Sequence, residues 1–138
     1  MTEQDKQLLL KDLCARLHYG VKIKTSMGDG ILCSIDYIPD GAYLGVSING
    51  AVKDYHEFQY TKPYLRPMSS MTEEEKNEVV KLGVCYDGAF HNDVYDVGTS
   101  MEDAFLAISW LLERHFDINY LINKGLALEA KEGMYKTE

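Results

Sequence analysis

A chain of 138 residues with 46% apolar and 26% charged side chains has the make-up of one globular domain, large enough to build a core without disulfide or metal staples. Its net charge of −8 argues against unspecific binding to nucleic-acid phosphates. No apolar run approaches the length of a bilayer span, and Met1 to Lys6 lacks the basic and apolar regions of a secretory signal, so no membrane partner is expected.

The charge is unevenly placed. Residues 1–66 carry eight basic and eight acidic side chains, whereas residues 67–138 carry six and fourteen. The acidic half suits a basic protein partner or simple solubility. Cys14, Cys33 and Cys85 form no CxxC pair, which excludes a zinc ribbon or a thioredoxin-like motif. They read as small buried hydrophobes in a reducing, cytoplasmic setting.

The first element is a helix over about residues 4–17, with Leu9, Leu13 and Leu17 on one face beside Leu10 and Cys14. Asp5, Lys6, Asp12 and Arg16 are expected to face outward, and Gly20 to end the helix in the left-handed conformation. A β-rich block follows to about Leu65. Apolar residues alternate over 21–25, again at Ile31, Cys33, Ile35 and Tyr37, and again at Leu44, Val46 and Ile48. Gly28-Asp29-Gly30 and Pro39-Asp40-Gly41 read as turns. Asn49-Gly50 is the strongest hairpin signal, because both residues tolerate the positive φ of a type I′ turn. A fourth strand is expected over about 52–60, and Pro63 and Pro67 bracket an extended segment at Tyr64-Leu65-Arg66.

The second half reads as helical. Thr72 and Glu75 form a capping box for a helix to about Leu82, closed by Gly83. Val84 to Gly98 reads as a loop or irregular hairpin. Thr99 or Ser100 then starts a long helix to about His115 with two apolar stripes, Met101–Phe105–Ile108–Leu112 and Leu106–Trp110. A helix apolar on more than one face is usually buried on more than one side, which places it between the sheet and either other helices or a second subunit. Asp117 is expected to cap a short helix over 118–124, closed by Gly125. The fold class is therefore α+β: an N-terminal helix, a small bent antiparallel sheet or SH3/Sm-like half-barrel, then a helical half. Residues 1–66 and 67–138 form two parts of one domain.

Four constellations could carry chemistry. Asp87, His91, Asp93 and Asp96 cluster in one loop and offer the oxygen and nitrogen donors of a cation site, and hence a metal-dependent hydrolase. Their spacing is not that of an EF-hand, and the same residues serve equally as turn formers. His18, His56, His91 and His115 are scattered, and no nucleophile elbow accompanies them. Gly28-Asp29-Gly30 joins strand to strand and lacks a third glycine, so it is no phosphate loop. The ten tyrosines include Tyr37, Tyr43, Tyr55, Tyr60 and Tyr64 in the β block, near Phe58, Lys62 and Arg66. With Lys22, Lys24 and Lys53 they could make an aromatic and basic face for nucleic acid or a nucleotide; the plainer reading is tyrosine half-buried on a pleated surface.

Two stretches, Lys62–Lys76 and Trp110–Ala130, resemble a family of small proteins from gut Bacteroides-type bacteria and their phages and mobile elements, over about residues 60–136. The resemblance implies an intracellular bacterial or phage protein and brings no activity, cofactor or site residues. No catalytic residue and no cofactor is expected. The leading reading is a non-catalytic accessory protein that binds a protein partner or associates with itself, with Tyr55, Tyr60, Lys62, Tyr64, Arg66 and Trp110 as candidate contacts. The nucleic-acid or nucleotide binder is the alternative.

Overall fold

Thr2 opens the first helix with a capping box. Its hydroxyl accepts from the Asp5 amide at 3.0 Å, and its own amide donates to the Asp5 carboxylate at 3.2 Å. In the computed structural model this helix, α1, spans Glu3–Arg16, followed by a 3-10 turn at Leu17–Tyr19 and by Gly20 at φ 71° as its left-handed end. The structure describes residues 1–38, 41–82 and 101–135, with the backbone alone at 51–55 and 101–103.

The β block folds as a meander. Strands β1 (Lys22–Thr25), β2 (Gly28–Ile38), β3 (Gly41–Ile48) and β4 (Ala51–Glu57) pair antiparallel with their sequence neighbours. Strand β5 (Lys62–Leu65) pairs antiparallel with the other side of β1. Strand β6 (Leu128–Glu129) then adds parallel to β5, giving the order β4-β3-β2-β1-β5-β6 with β4 and β6 as edges. Asn49 and Gly50 take φ 53° and 79°, the type I′ signature read from the sequence. The pairing slips at Leu32/Ser34 and at Val46/Ser47, which bends the sheet. At the bend, a Cβ on Gly30 would run into the Ser47 carbonyl and the Val46 and Ile48 side chains, so no larger residue fits.

The turn between β1 and β2 lies one step earlier than Gly28-Asp29-Gly30. It is Ser26-Met27, with Thr25 opposite Gly28. The Thr25 hydroxyl ties it by donating to the Gly28 carbonyl at 2.6 Å and accepting from the Met27 amide at 3.1 Å. Pro39 and Asp40 of the second turn lie outside the described residues. The fourth strand stops at Glu57, because Phe58–Tyr60 winds into a 3-10 turn that buries Phe58.

Helix α2 (Glu73–Lys81) carries the expected capping box between Thr72 and Glu75, and α3 spans Met101–Glu113. Gly83, the loop over 84–98 and the caps Thr99 and Ser100 lie outside the described residues. After α3 the chain reverses at His115 (φ 67°), and Phe116 pairs in parallel with Arg66. The expected helix over 118–124 is absent; that stretch is a series of turns. Tyr120 sits at φ 57°, outside the helical region, and the Asp117 carboxylate takes the Leu121 and Ile122 amides at 2.8 and 3.0 Å. The closing bonds survive: Leu126 N–H reaches the Leu121 carbonyl at 2.9 Å, and Gly125, at φ 75°, reaches Ile122 at 3.1 Å.

Two cores result. Leu9 and Leu13 of α1 pack on Val21, Ile23, Leu32, Leu44 and Val46 of the sheet, with Leu121 and Leu126 closing the end. Met68, Met71, Val79, Ala107, Trp110, Leu111 and Phe116 form the second. The second half is thus not purely helical, since it supplies β6 and part of the first core. Two outward assignments on α1 are overturned. Asp12 and Arg16 are fully buried, because α1 is covered by the sheet on one side and by residues 116–119 on the other. Conversely, Cys14 and Cys33 are exposed free thiols, not core residues, and Cys14 Sγ lies 2.8 Å from Tyr37 Oη. That contact, first, and then burial push the Tyr37 hydroxyl above its ordinary pKa.

Candidate functional site

The six candidate contacts do not converge. Only the backbone of Tyr55 is described, where it pairs with Gly45. Tyr64 is buried, and its hydroxyl donates to Asp29 Oδ1 at 3.0 Å; burial first and this bond second raise its pKa. Arg66 is held by Glu75 through two bonds of 2.6 and 2.8 Å. Trp110 is buried in the second core, and its indole N–H donates to Glu78 at 3.3 Å. Tyr60 and Lys62 are exposed and border a different depression. Asp87, His91, Asp93 and Asp96 lie outside the described residues. Among the described residues no three His, Cys, Asp or Glu side chains gather as a metal site.

What the structure assembles around Arg66 is a groove of about 720 Å³ between α2, the end of α3 and the segment after β6. Its two arginines, Arg66 and Arg114, are the ends of a ladder of planar groups that runs through the second core. The Arg66 guanidinium lies 4.1 Å from the Phe116 ring centre, Phe116 stacks on Trp110 with ring centres 6.1 Å apart, and the Arg114 guanidinium covers Trp110 at 4.2 Å. Glu75 and Glu78 neutralise the two arginines. Burial alone would push the Glu75 carboxyl up; the Arg66 pair and the Thr72 bonds outweigh it and hold Glu75 below the usual range. Five glutamates, Glu74, Glu75, Glu78, Glu129 and Glu132, line the groove against Arg66, Arg114 and Lys131. The Arg66–Glu75 and Arg114–Glu78 pairs have the chemistry of a structural joint, while Glu74, Glu129 and Glu132 leave the groove with an acidic excess.

Beside it, a clasp holds the end of the described chain. The Tyr135 hydroxyl accepts from the Lys22 amide and donates to the Tyr64 carbonyl, both at 2.7 Å, and Lys22 Nζ donates to the Met134 carbonyl at 2.6 Å. The His115 ring stacks on Tyr135 at 3.8 Å, with Nδ1 buried and without a hydrogen-bond partner among the described residues. Burial, then the cations Arg16, Arg66 and Lys22, hold the His115 pKa down at about 4; burial likewise raises that of Tyr135. The unfolded chain therefore takes up a proton near pH 6.5 that the folded chain accepts only near 4. Stability contributed by the neutral imidazole is full above pH 6.5 and falls as pH drops from 6.5 to 4. The expected loss is on the order of 2 kcal/mol, below the ~3 kcal/mol of the full shift because the clasp borders open water. In urea midpoints measured across this range, wild type should lose stability below pH 6.5 relative to His115→Asn, which tolerates the positive φ. Parallel curves would refute the assignment.

Sequence reasoning missed Lys22, Arg114, His115 and Tyr135 as a group. The run Trp110–Phe116, with an arginine and a histidine between aromatics, was the one available signal; nothing local marks Tyr135.

The fold and its joints define an α+β protein whose two halves are sewn together by one sheet, with no helix among the described residues long and apolar enough to cross a membrane. No family model, no curated protein and no solved structure matches the chain.

Proposed function

We propose that this chain is a non-catalytic interaction protein whose contact surface is the outer face of α3. One observation carries the reading: α3 is apolar on more than one face, and among its described side chains several large apolar groups stay outside the core. Ala107, Trp110 and Leu111 are buried, whereas Phe105 is 70% exposed, with Leu106 and Ile108 exposed beside it. Large apolar groups contiguous on a surface mark places where another surface docks.

Charge selects the occupant. Residues 67–138 hold fourteen acidic against six basic side chains, so a second copy would bring like charge to the same face. A protein partner with an apolar patch and a basic rim fits. Of the six candidate contacts, Tyr64, Arg66 and Trp110 are engaged within the fold, which favours the α3 face for a protein partner.

Phe105→Glu with Ile108→Glu is the test. The double variant should keep the wild-type melting temperature within a few degrees, as surface changes do. Wild type should be monomeric by light scattering. From an extract of the source cells it should retain a basic protein that the variant does not, with retention weakened by salt. A variant that fails to fold, a dimer that the variant dissolves, or identical retained proteins would each overturn the reading.

A further inference from the structure

A second surface, where β1 and β5 pair, has a different character from the groove. Lys24 of β1 and Lys62 of β5 are direct cross-strand partners, and both are exposed. Like charges directly opposite each other on a sheet repel and cost stability. Neither lysine has an ion pair among the described residues, whereas Lys6, Arg66, Lys76, Arg114 and Lys131 each have one. The carboxylate nearest in register, Asp29 opposite Lys24, is occupied elsewhere: it accepts from Tyr64 and faces Lys131 at 3.8 Å.

Beside the two ammonium groups stands Tyr60, 72% exposed on the 3-10 turn after β4. These three, with Ser26, Gln59 and Leu128, surround a depression of about 330 Å³. No carboxylate lines it. In a chain of net charge −8, whose larger groove is lined by five glutamates, that is a local reversal of sign.

From this juxtaposition we propose a ligand site for a phosphate joined to a planar ring, which is nucleotide chemistry. Lys24 and Lys62 hold the phosphate as two point charges, their mutual repulsion being relieved when it arrives. The Tyr60 ring stacks on the base, and the Ser26 hydroxyl is the polar group at the rim; the Gln59 amide beside it donates to Glu57 at 3.2 Å. Arg66 takes no part, because Glu75 holds it. The source is either a free mononucleotide or one residue of a single strand; both present the same phosphate and ring.

Calorimetric titration of the full chain at low salt would use adenosine 5′-monophosphate, adenosine, inorganic phosphate and a ten-nucleotide single strand. The monophosphate should bind saturably, at least roughly tenfold tighter than adenosine or phosphate alone, and binding should weaken with salt. Tyr60→Ala should cost roughly 5- to 100-fold, the range of one stacked base. Lys24→Gln with Lys62→Gln should remove binding without altering the circular dichroism spectrum, because both side chains are exposed. Arg66→Gln, if it folds, should bind as wild type. A single strand that binds tenfold or more tighter than the monophosphate assigns the site to a polymer; equal affinity assigns it to the free nucleotide. No saturable binding of any probe, or binding unchanged in the double-lysine variant, would overturn the site.

Discussion

Replacing Arg16 by methionine is expected to destabilise the protein by about 3–5 kcal/mol, the usual cost of removing one partner from a buried ion pair. Arg16 and Asp12 stand one helical turn apart on α1, both with side chains fully buried, joined at 2.7 Å through Nε and at 3.2 Å through Nη2. Nη2 also donates to the Phe116 carbonyl at 2.7 Å, and Asn119 donates to Asp12 Oδ1 at 2.8 Å. The pair therefore reaches across about a hundred residues of sequence and fastens the chain after α3 to the first helix. Truncating Arg16 strands the Asp12 carboxylate, and Asn119 alone cannot offset its lost hydration. A second variant separates the pair's net worth from the cost of breaking it. Asp12→Leu with Arg16→Met removes both charges and should recover most of the loss, since hydrophobic replacement of a whole buried pair is often neutral. Urea unfolding of the two variants decides the matter. A loss below about 1 kcal/mol in Arg16→Met would mean that water reaches the pair.

The second large effect is expected at Trp110. Truncation to alanine should cost about 3–5 kcal/mol, as for other buried tryptophans. The indole stacks on Phe116, lies under Arg114 and donates to Glu78, so its loss opens a cavity and frees the Glu78–Arg114 side of the groove together. Phe105, five residues earlier on the same helix, should tolerate alanine at less than about 0.5 kcal/mol, as an exposed side chain does. Thermal unfolding of the two single variants is the comparison. Similar losses at both positions would mean that α3 is buried on both sides within the monomer, and the contact surface proposed for it would fall.

That pair of positions shows where the sequence stops being informative. Periodicity named two apolar stripes on α3 and gave no reason to rank them, so both were expected to be covered. The fold divides both stripes, burying Trp110 and Leu112 and leaving Phe105, Leu106 and Ile108 exposed, because Trp110 meets the Phe116 ring and the distant Glu78. Likewise, nothing local distinguishes Asp12 and Arg16 from an ordinary exposed pair one helical turn apart. Their burial depends on what residues 116–119 do, and that segment is placed by its parallel bridge to Arg66. Tyr64 turned inward for the same reason: a strand's period tells which side chains share a face, not which are later covered by a segment such as that carrying Tyr135.

The sequence by itself determined the local elements: the Thr72–Glu75 capping box, the Gly20 helix end, the Asn49-Gly50 turn and the presence of the strands, hence the α+β class, though β2 turns Leu32 inward and Ile31, Cys33 and Tyr37 outward. Each depends on contacts within a few residues, and short-range sterics and hydrogen bonding are written in the residue types. Only the tertiary structure decided which side of each helix is inside, which charges are paired and which lysines stand unpaired. Those outcomes depend on β6 and Phe116 returning to the strand that ends at Leu65, an event between segments some fifty to sixty residues apart that no local pattern encodes.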